Sequence, residues 1–275
     1  ELTMPISADY HLHSSFSTDS DASMDEMIRQ GISQGLKAMC FTEHNDFDYP
    51  PAPDLPEGSF LLNPDSYLYD LLRSREKYGG QIGLFFGVEI GLQPHLAQKN
   101  TALATAHDYD FIIASSHICN GKDPYYPSFF EGLSVEDAYR EYFESILENL
   151  QTFRQFDVYG HLDYVVRYSP SRDEGYAYET YRELLDEILR KIISMGKGIE
   201  INTSALAAGM SETNPCRAVL KRYRELGGEI ITVGSDAHDP SRIAYGFDRA
   251  AGILQECGFH FYTTFERRKP SFHTL

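Results

Sequence analysis

Short apolar runs alternate with helix-period segments from one end of this chain to the other, and that order admits few folds. The runs fall at 7–11, 37–42, 82–90, 110–117, 156–161, 198–202 and 229–234, with 258–265 as an eighth or a closing edge strand. Segments 24–34, 65–78, 94–107, 135–153, 179–195, 215–226 and 242–257 carry the apolar spacing of amphipathic helices. A strand, a crossover helix and another strand make a parallel sheet with right-handed connections. Seven or eight such units predict a (β/α) barrel, with an open doubly wound sheet as the alternative. The 275 residues suit one barrel domain spanning 1–275. Local signals agree with this reading. Ser23-Met24-Asp25-Glu26 fits a capping box, Pro215 suits a first helical position, and Gly196 suits a helix end.

In a parallel barrel all strands end on one face, and the loops that leave that face do the chemistry. Two long loops follow strands here: the proline-rich 49–64 and the aromatic 120–132. The chain has 10 histidines. Six of them stand at or just after predicted strand ends: His11, His13, His44, His117, His161 and His238. Glu89 ends the third strand, and Asp236 precedes His238 by two residues. Residues i and i+2 of an extended chain point to the same side, so His11 with His13, and Asp236 with His238, can each serve one ion. Taken alone, an H-x-H triplet, a buried glutamate or a loop aspartate such as Asp19 has an ordinary structural explanation. Their joint placement at strand ends does not, and it predicts a metal site. Imidazole and carboxylate without thiolate suit zinc, manganese or iron, and a catalytic rather than a purely structural site.

Composition narrows the partners. The formal net charge of -17 repels phosphate backbones and disfavours nucleic-acid binding. Three bound divalent ions would offset about six of those charges, leaving a cationic pocket in an acidic protein. The four cysteines, Cys40, Cys119, Cys216 and Cys257, form no C-x-x-C pair and read as buried thiols of a reducing compartment. No stretch is long and apolar enough to span a bilayer, and no basic-then-apolar leader opens the sequence, so a cytoplasmic location without membrane contact is expected. Nothing in the sequence sets an oligomeric state.

The segments His11-Leu12-His13-Ser14, Thr42-Glu43-His44, Glu89, Ser116-His117, Gly160-His161 and Ser235-Asp236-Ala237-His238 resemble, in order and over nearly the whole chain, the motifs of the polymerase and histidinol phosphatase (PHP) superfamily. The runs from Gly160 to Tyr168 and from Glu200 to Ser204 are similar to segments of its stand-alone histidinol-phosphate phosphatases. The resemblance implies an α/β fold, a distorted seven-stranded (β/α) barrel, with three clustered divalent ions, zinc first and manganese or iron next. His11, His13, Glu89 and Asp236 would hold one ion. Glu89 would bridge to a second, held also by His117 and His161. Asp19, His44 and His238 would hold the third. Many members have histidine where this chain has Asp19, and the harder, charged carboxylate shifts metal preference.

The activity so implied is hydrolysis of a small phosphate monoester, L-histidinol phosphate, to L-histidinol and phosphate by a metal-activated hydroxide. Glu89 and Asp236 would serve catalysis as ligands. Arg167 and Arg242, whose planar fork suits phosphate, are candidate catalytic and substrate-binding groups, with a surface ion pair as the other reading for each. Ser116 and Glu43 are further candidate substrate contacts. Tyr125, Tyr126, Phe129 and Phe130 either cover the leaving group or close the barrel mouth. The rival readings are a protein-tyrosine or other small-molecule phosphatase of the same superfamily, a nuclease or proofreading module, and a non-catalytic metal-binding scaffold.

Overall fold

The computed structural model describes residues 4–275. Seven parallel strands pair in chain order: β1 (Ala8–Leu12), β2 (Ala38–Asn45), β3 (Gly83–Gly91), β4 (Phe111–Ser115), β5 (Val158–Tyr159), β6 (Gly198–Asn202) and β7 (Ile231–Gly234). Strictly sequential parallel order is that of a barrel, since a doubly wound sheet reverses direction partway. β1 and the segment after β7 close the circle at the carboxyl ends. The Asp236 amide donates to the His11 carbonyl at 2.7 Å, and the His13 amide to the Ala237 carbonyl at 2.9 Å. The seam is therefore stitched by the backbone of four residues that include three candidate ligands.

At the other end the seam is filled differently. β8 (Phe261–Glu266) and β9 (Lys269–Thr274) form a separate antiparallel hairpin, so the segment expected as an eighth strand stays outside the barrel sheet. The Tyr10 hydroxyl donates to the Phe265 carbonyl at 2.8 Å, and Phe265 stacks on Phe111 at 5.2 Å. The Ile231 amide donates to Thr263 Oγ1 at 3.1 Å instead of to a strand. A hairpin, unlike a lone strand, satisfies its own backbone while presenting side chains to that gap.

The helices pack outside. Ser23 forms the expected capping box with Glu26. The Ser134 side chain caps helix Val135–Thr152, which buries Ala138, Tyr142, Phe143, Ile146 and Leu150 at helical spacing against the sheet. Pro215 does not open a helix: the helix starts at Arg217, because Asn214 is held in extended backbone pairing with Asn202. The last helix begins at Phe247, not at residue 242, after a single turn at Pro240–Arg242. Two short helices, Tyr164–Arg167 and Ser204–Ala207, carry too few residues to leave a periodic signal. All four cysteines are buried and unpaired. Among the described residues no helix is long and apolar enough to cross a membrane.

Candidate metal centre

The strand ends deliver their side chains to one buried point. Glu89, at the end of β3, sits at its middle. Its Oε2 lies 3.1 Å from His11 Nε2, 3.4 Å from His13 Nε2 and 3.1 Å from His44 Nδ1. Its Oε1 lies 3.1 Å from His117 Nε2 and 3.0 Å from His161 Nε2. One carboxylate thus faces two sets of imidazoles, one on each oxygen. Asp236 Oδ1 completes the first set, 3.3 Å from His11 Nε2 and 3.2 Å from His13 Nε2. Further out, Asp19 Oδ2 lies 3.4 Å from His44 Nε2 and 3.1 Å from His238 Nε2. All nine residues expected as ligands converge, and Asp19 is the most exposed of them.

The donor atoms suit cations. His11, His13, Glu89 and Asp236 present ligand atoms within 4.8 Å of one another, as do Glu89, His117 and His161. His44 Nδ1 and His238 Nε2 are buried without a hydrogen bond, although carboxylate oxygens stand 3.1 Å away. Close approach without hydrogen-bond alignment fits lone pairs aimed at a shared ion, since a buried polar atom otherwise finds a partner. Burial alone would push the Glu89 and Asp236 carboxyls up; the facing imidazoles, and Arg167 beside Asp236, hold both well below the ordinary range.

Local backbone makes this convergence possible. β1 opposes Asp9 to Met39 and Leu12 to Phe41, so it carries one extra residue, a bulge at the base of the ligand pair. Asp236 and His161 both adopt positive φ, 55° and 22°. Such conformations cost free energy in residues other than glycine and concentrate at functional sites. Gly234 is required by contact: a Cβ there would stand 2.3 Å from His11 Cβ.

Two supporting residues were not among the expected site residues, although Glu200 opens one of the family-like runs. Glu200 Oε2 accepts from His11 Nδ1 at 2.8 Å, and Asp46 Oδ1 from His117 Nδ1 at 2.8 Å. These carboxylates orient the imidazoles from behind and leave the opposite nitrogens for ligation. Asp46 follows His44 by two residues in a buried strand end, and that period-two spacing was its available signal.

The substrate-side expectations divide. Arg167 is buried at the pocket wall. Its Nε donates to Asn214 Oδ1 at 3.2 Å, Nη1 to Asp236 Oδ2 at 3.3 Å and Nη2 to Asn202 Oδ1 at 3.3 Å. Three of its five N–H groups are engaged by these residues, and Tyr168 stands against the guanidinium as well. The other three candidates lie elsewhere. Arg242 is exposed, donates to the Ala207 carbonyl at 2.9 Å and does not line the pocket. The Ser116 hydroxyl is buried between Tyr159 and Asn149. Its neighbour Ser115, on the other side of the pleat, donates to Glu89 Oε1 at 2.8 Å. Glu43 is fully buried, accepting from the Ser14 amide at 2.7 Å and from Ser17 Oγ at 2.7 Å. Ser17 Oγ in turn touches His13 Nδ1 at 3.2 Å, so Glu43 braces a candidate ligand and does not line the cavity. Burial pushes its carboxyl up to about 7.

Above the cluster lies a cavity of about 230 Å³, walled by Tyr49, Phe60, Tyr125, Tyr126, Tyr164 and Tyr168. Phe129 and Phe130 turn into the core instead. The two long loops meet across the opening, where the Tyr49 hydroxyl donates to Asp123.

The comparisons agree with this geometry. Residues 9–204 match the PHP domain family. The histidinol-phosphatase of Lactococcus lactis is 33% identical over 95% of this chain and 95% of its own length. A probable histidinol-phosphatase of Clostridium acetobutylicum is 31% identical over 90% of this chain and 93% of its own. A crystal structure of the Lactococcus lactis histidinol phosphate phosphatase, complexed with zinc, L-histidinol and phosphate, superposes with a TM-score of 0.88 over 96% of this chain and 98% of that one. The chain belongs to the PHP-domain family.

Proposed function

We propose that this protein is a histidinol-phosphatase: a metal-dependent phosphomonoesterase that cleaves L-histidinol phosphate to L-histidinol and phosphate, with residues 1–275 acting as one barrel domain. The observation that carries the reading is the convergence of nine ligand-capable side chains beside Arg167 at the floor of a small aromatic pocket. The sequence and structural likeness to the Lactococcus lactis enzyme supplies the substrate.

Three divalent ions would use all nine side chains, zinc first, the metal bound in that relative. His11, His13, Glu89 and Asp236 would hold one; Glu89, His117 and His161 a second; Asp19, His44 and His238 a third. The chemistry such ions would supply there is activation of a water and neutralisation of phosphoryl charge. The chain does the rest. Arg167, pinned by Asn214, Asn202 and Asp236, turns its guanidinium to the phosphoryl group and holds it in line. Asp46 and Glu200 keep His117 and His11 from rotating. The tyrosines around the cavity exclude bulk water and cover the leaving group. In the net reaction the ester P–O bond breaks, a P–O bond to water forms, and a water proton ends on the histidinol oxygen.

A cavity of this size, bridged at its mouth by the Tyr49–Asp123 contact, suits a small ester better than a phosphotyrosine on a folded protein. The test is phosphate release. Turnover of L-histidinol phosphate should exceed that of p-nitrophenyl phosphate or a phosphotyrosine peptide by at least about 100-fold in kcat/KM. Equal rates on all three would overturn the assignment.

A further inference from the structure

Asp123 is a buried carboxylate with no cationic partner. It is 5% exposed, lines the cavity, and among the described residues forms no ion pair with lysine, arginine or histidine. Its contacts are neutral donors. Oδ1 accepts from the Tyr125 amide at 2.8 Å and from the Tyr164 hydroxyl at 2.9 Å, and Oδ2 accepts from the Tyr49 hydroxyl. These fix the carboxylate from three directions while leaving lone-pair capacity unused. The turn at Asn120 and Gly121, both at positive φ, pairs Cys119 with Lys122 and brings the next residue back over the pocket.

Its distance from the metal cluster is one aromatic ring. Tyr164 packs edge-on to His117 at 5.4 Å and near His161 at 4.9 Å, and its hydroxyl reaches Asp123. A phosphate ester whose phosphoryl group sits beside Arg167 would extend its alcohol past Tyr164 toward this carboxylate. Buried charge without a counter-charge is costly unless a partner arrives. Aromatic walls are themselves favourable to a cation.

We infer that Asp123 is the specificity-determining acceptor for a protonated nitrogen on the leaving alcohol, held ready by Tyr49 and Tyr164. The inference rests on the proposed phosphatase reading. It states what that reading leaves open: which residue separates a cationic ester from a neutral one. L-Histidinol phosphate carries two such nitrogens, the ammonium and the imidazole, and the experiment distinguishes them.

Four esters serve, assayed with the zinc-loaded full chain: L-histidinol phosphate, L-phenylalaninol phosphate (ammonium only), 3-(imidazol-4-yl)propyl phosphate (imidazole only) and 3-phenylpropyl phosphate (neither). In Asp123→Asn, kcat/KM for L-histidinol phosphate relative to 3-phenylpropyl phosphate should fall about 10- to 100-fold, chiefly through KM. The singly cationic ester that loses the same ratio identifies the nitrogen. Asp123→Glu should restore part of it. Asp54, an exposed carboxylate at the cavity that accepts from the Tyr126 hydroxyl, is the control: an unchanged ratio, an equal fall on all four esters, or the same selective loss in Asp54→Asn but not in Asp123→Asn would overturn the inference. If neither Asp123 variant folds, the unaltered protein decides. L-Histidinol should then inhibit at least about tenfold more tightly than 3-phenylpropanol, and equal inhibition would overturn the inference. Failure of the unaltered protein to act on L-histidinol phosphate would instead sink the functional reading itself.

Discussion

Arg167 is tied to Asp236, Nη1 to Oδ2 at 3.3 Å, while the other oxygen of the same carboxylate faces His13 Nε2 at 3.2 Å. The guanidinium proposed to hold the phosphoryl group and the candidate ligand cluster are therefore one mechanical unit. A metal held by Asp236 would be placed relative to the same group that would orient the phosphoryl oxygens in the proposed reaction.

Replacing Arg167 by Lys keeps the charge and loses the planar fork that reaches Asn214, Asn202 and Asp236 together. We expect kcat/KM on L-histidinol phosphate to fall about 100- to 1,000-fold, with metal content retained. Steady-state kinetics beside elemental analysis of the same samples checks both halves.

Glu89→Gln removes one charge that faces imidazoles on both of its oxygens. More than one bound ion per chain should be lost after exhaustive dialysis. Full metal content by mass spectrometry would refute a bridging role.

Chelation should destabilise the fold as well as silence it. Ions that bind only the folded state at about 100 times their Kd add roughly 2.7 kcal/mol, or about 5–10 °C in a chain of this size. Melting scans of the zinc-loaded and chelated protein measure the difference. An identical midpoint would argue against tight binding in the buried cluster.

Gly234→Ala should impair the site from behind. The added Cβ would press on His11 Cβ at 2.3 Å and on Glu200 Oε2 at 3.1 Å, and His11 must move. We expect a stability loss of about 1–3 kcal/mol and weaker metal binding, read by denaturant titration and metal competition.

A pH effect is expected far from the centre. Arg222 grips Asp186 with Nε at 3.0 Å and Nη2 at 2.9 Å, holding its carboxyl below the ordinary range. A depressed folded-state pKa contributes stability above the unfolded value, near 4, that is lost as pH falls through the folded one. Asp186→Asn should therefore lower the melting midpoint by about 3–6 °C at pH 7. The deficit should shrink below pH 4. A deficit that stayed constant across that range would contradict the ion pair.

The order of elements and the residues that converge at the strand ends were legible in the sequence. Alternation reports burial, and a parallel barrel gathers its strand ends on one face whatever the intervening helices contain. His11, His44, Glu89, His117, His161 and Asp236 needed no further information to be gathered there. The hairpin at the base was not legible. Whether 258–265 joins a barrel or folds on 269–274 depends on the width of a gap between β1 and β7, which no local pattern encodes.

The substrate side divided for the same kind of reason. Arg167, Arg242, Ser116 and Glu43 were equally plausible by residue type and position. A single step along the pleat turns Ser116 into the core and Ser115 toward Glu89, and a one-turn loop leaves Arg242 in solvent. Asp46, Glu200 and Asp123 act through side-chain contacts 39 to 189 residues away from the groups they serve, in places set by packing. The barrel order and the gathering of candidate ligands at the strand ends follow from the sequence, because strand periodicity and topology place them. Only the tertiary structure decided which polar groups face the cavity and which brace its walls. That depends on pleat register, a bulge and two loops meeting across a mouth, none of which is a property of any short stretch of chain.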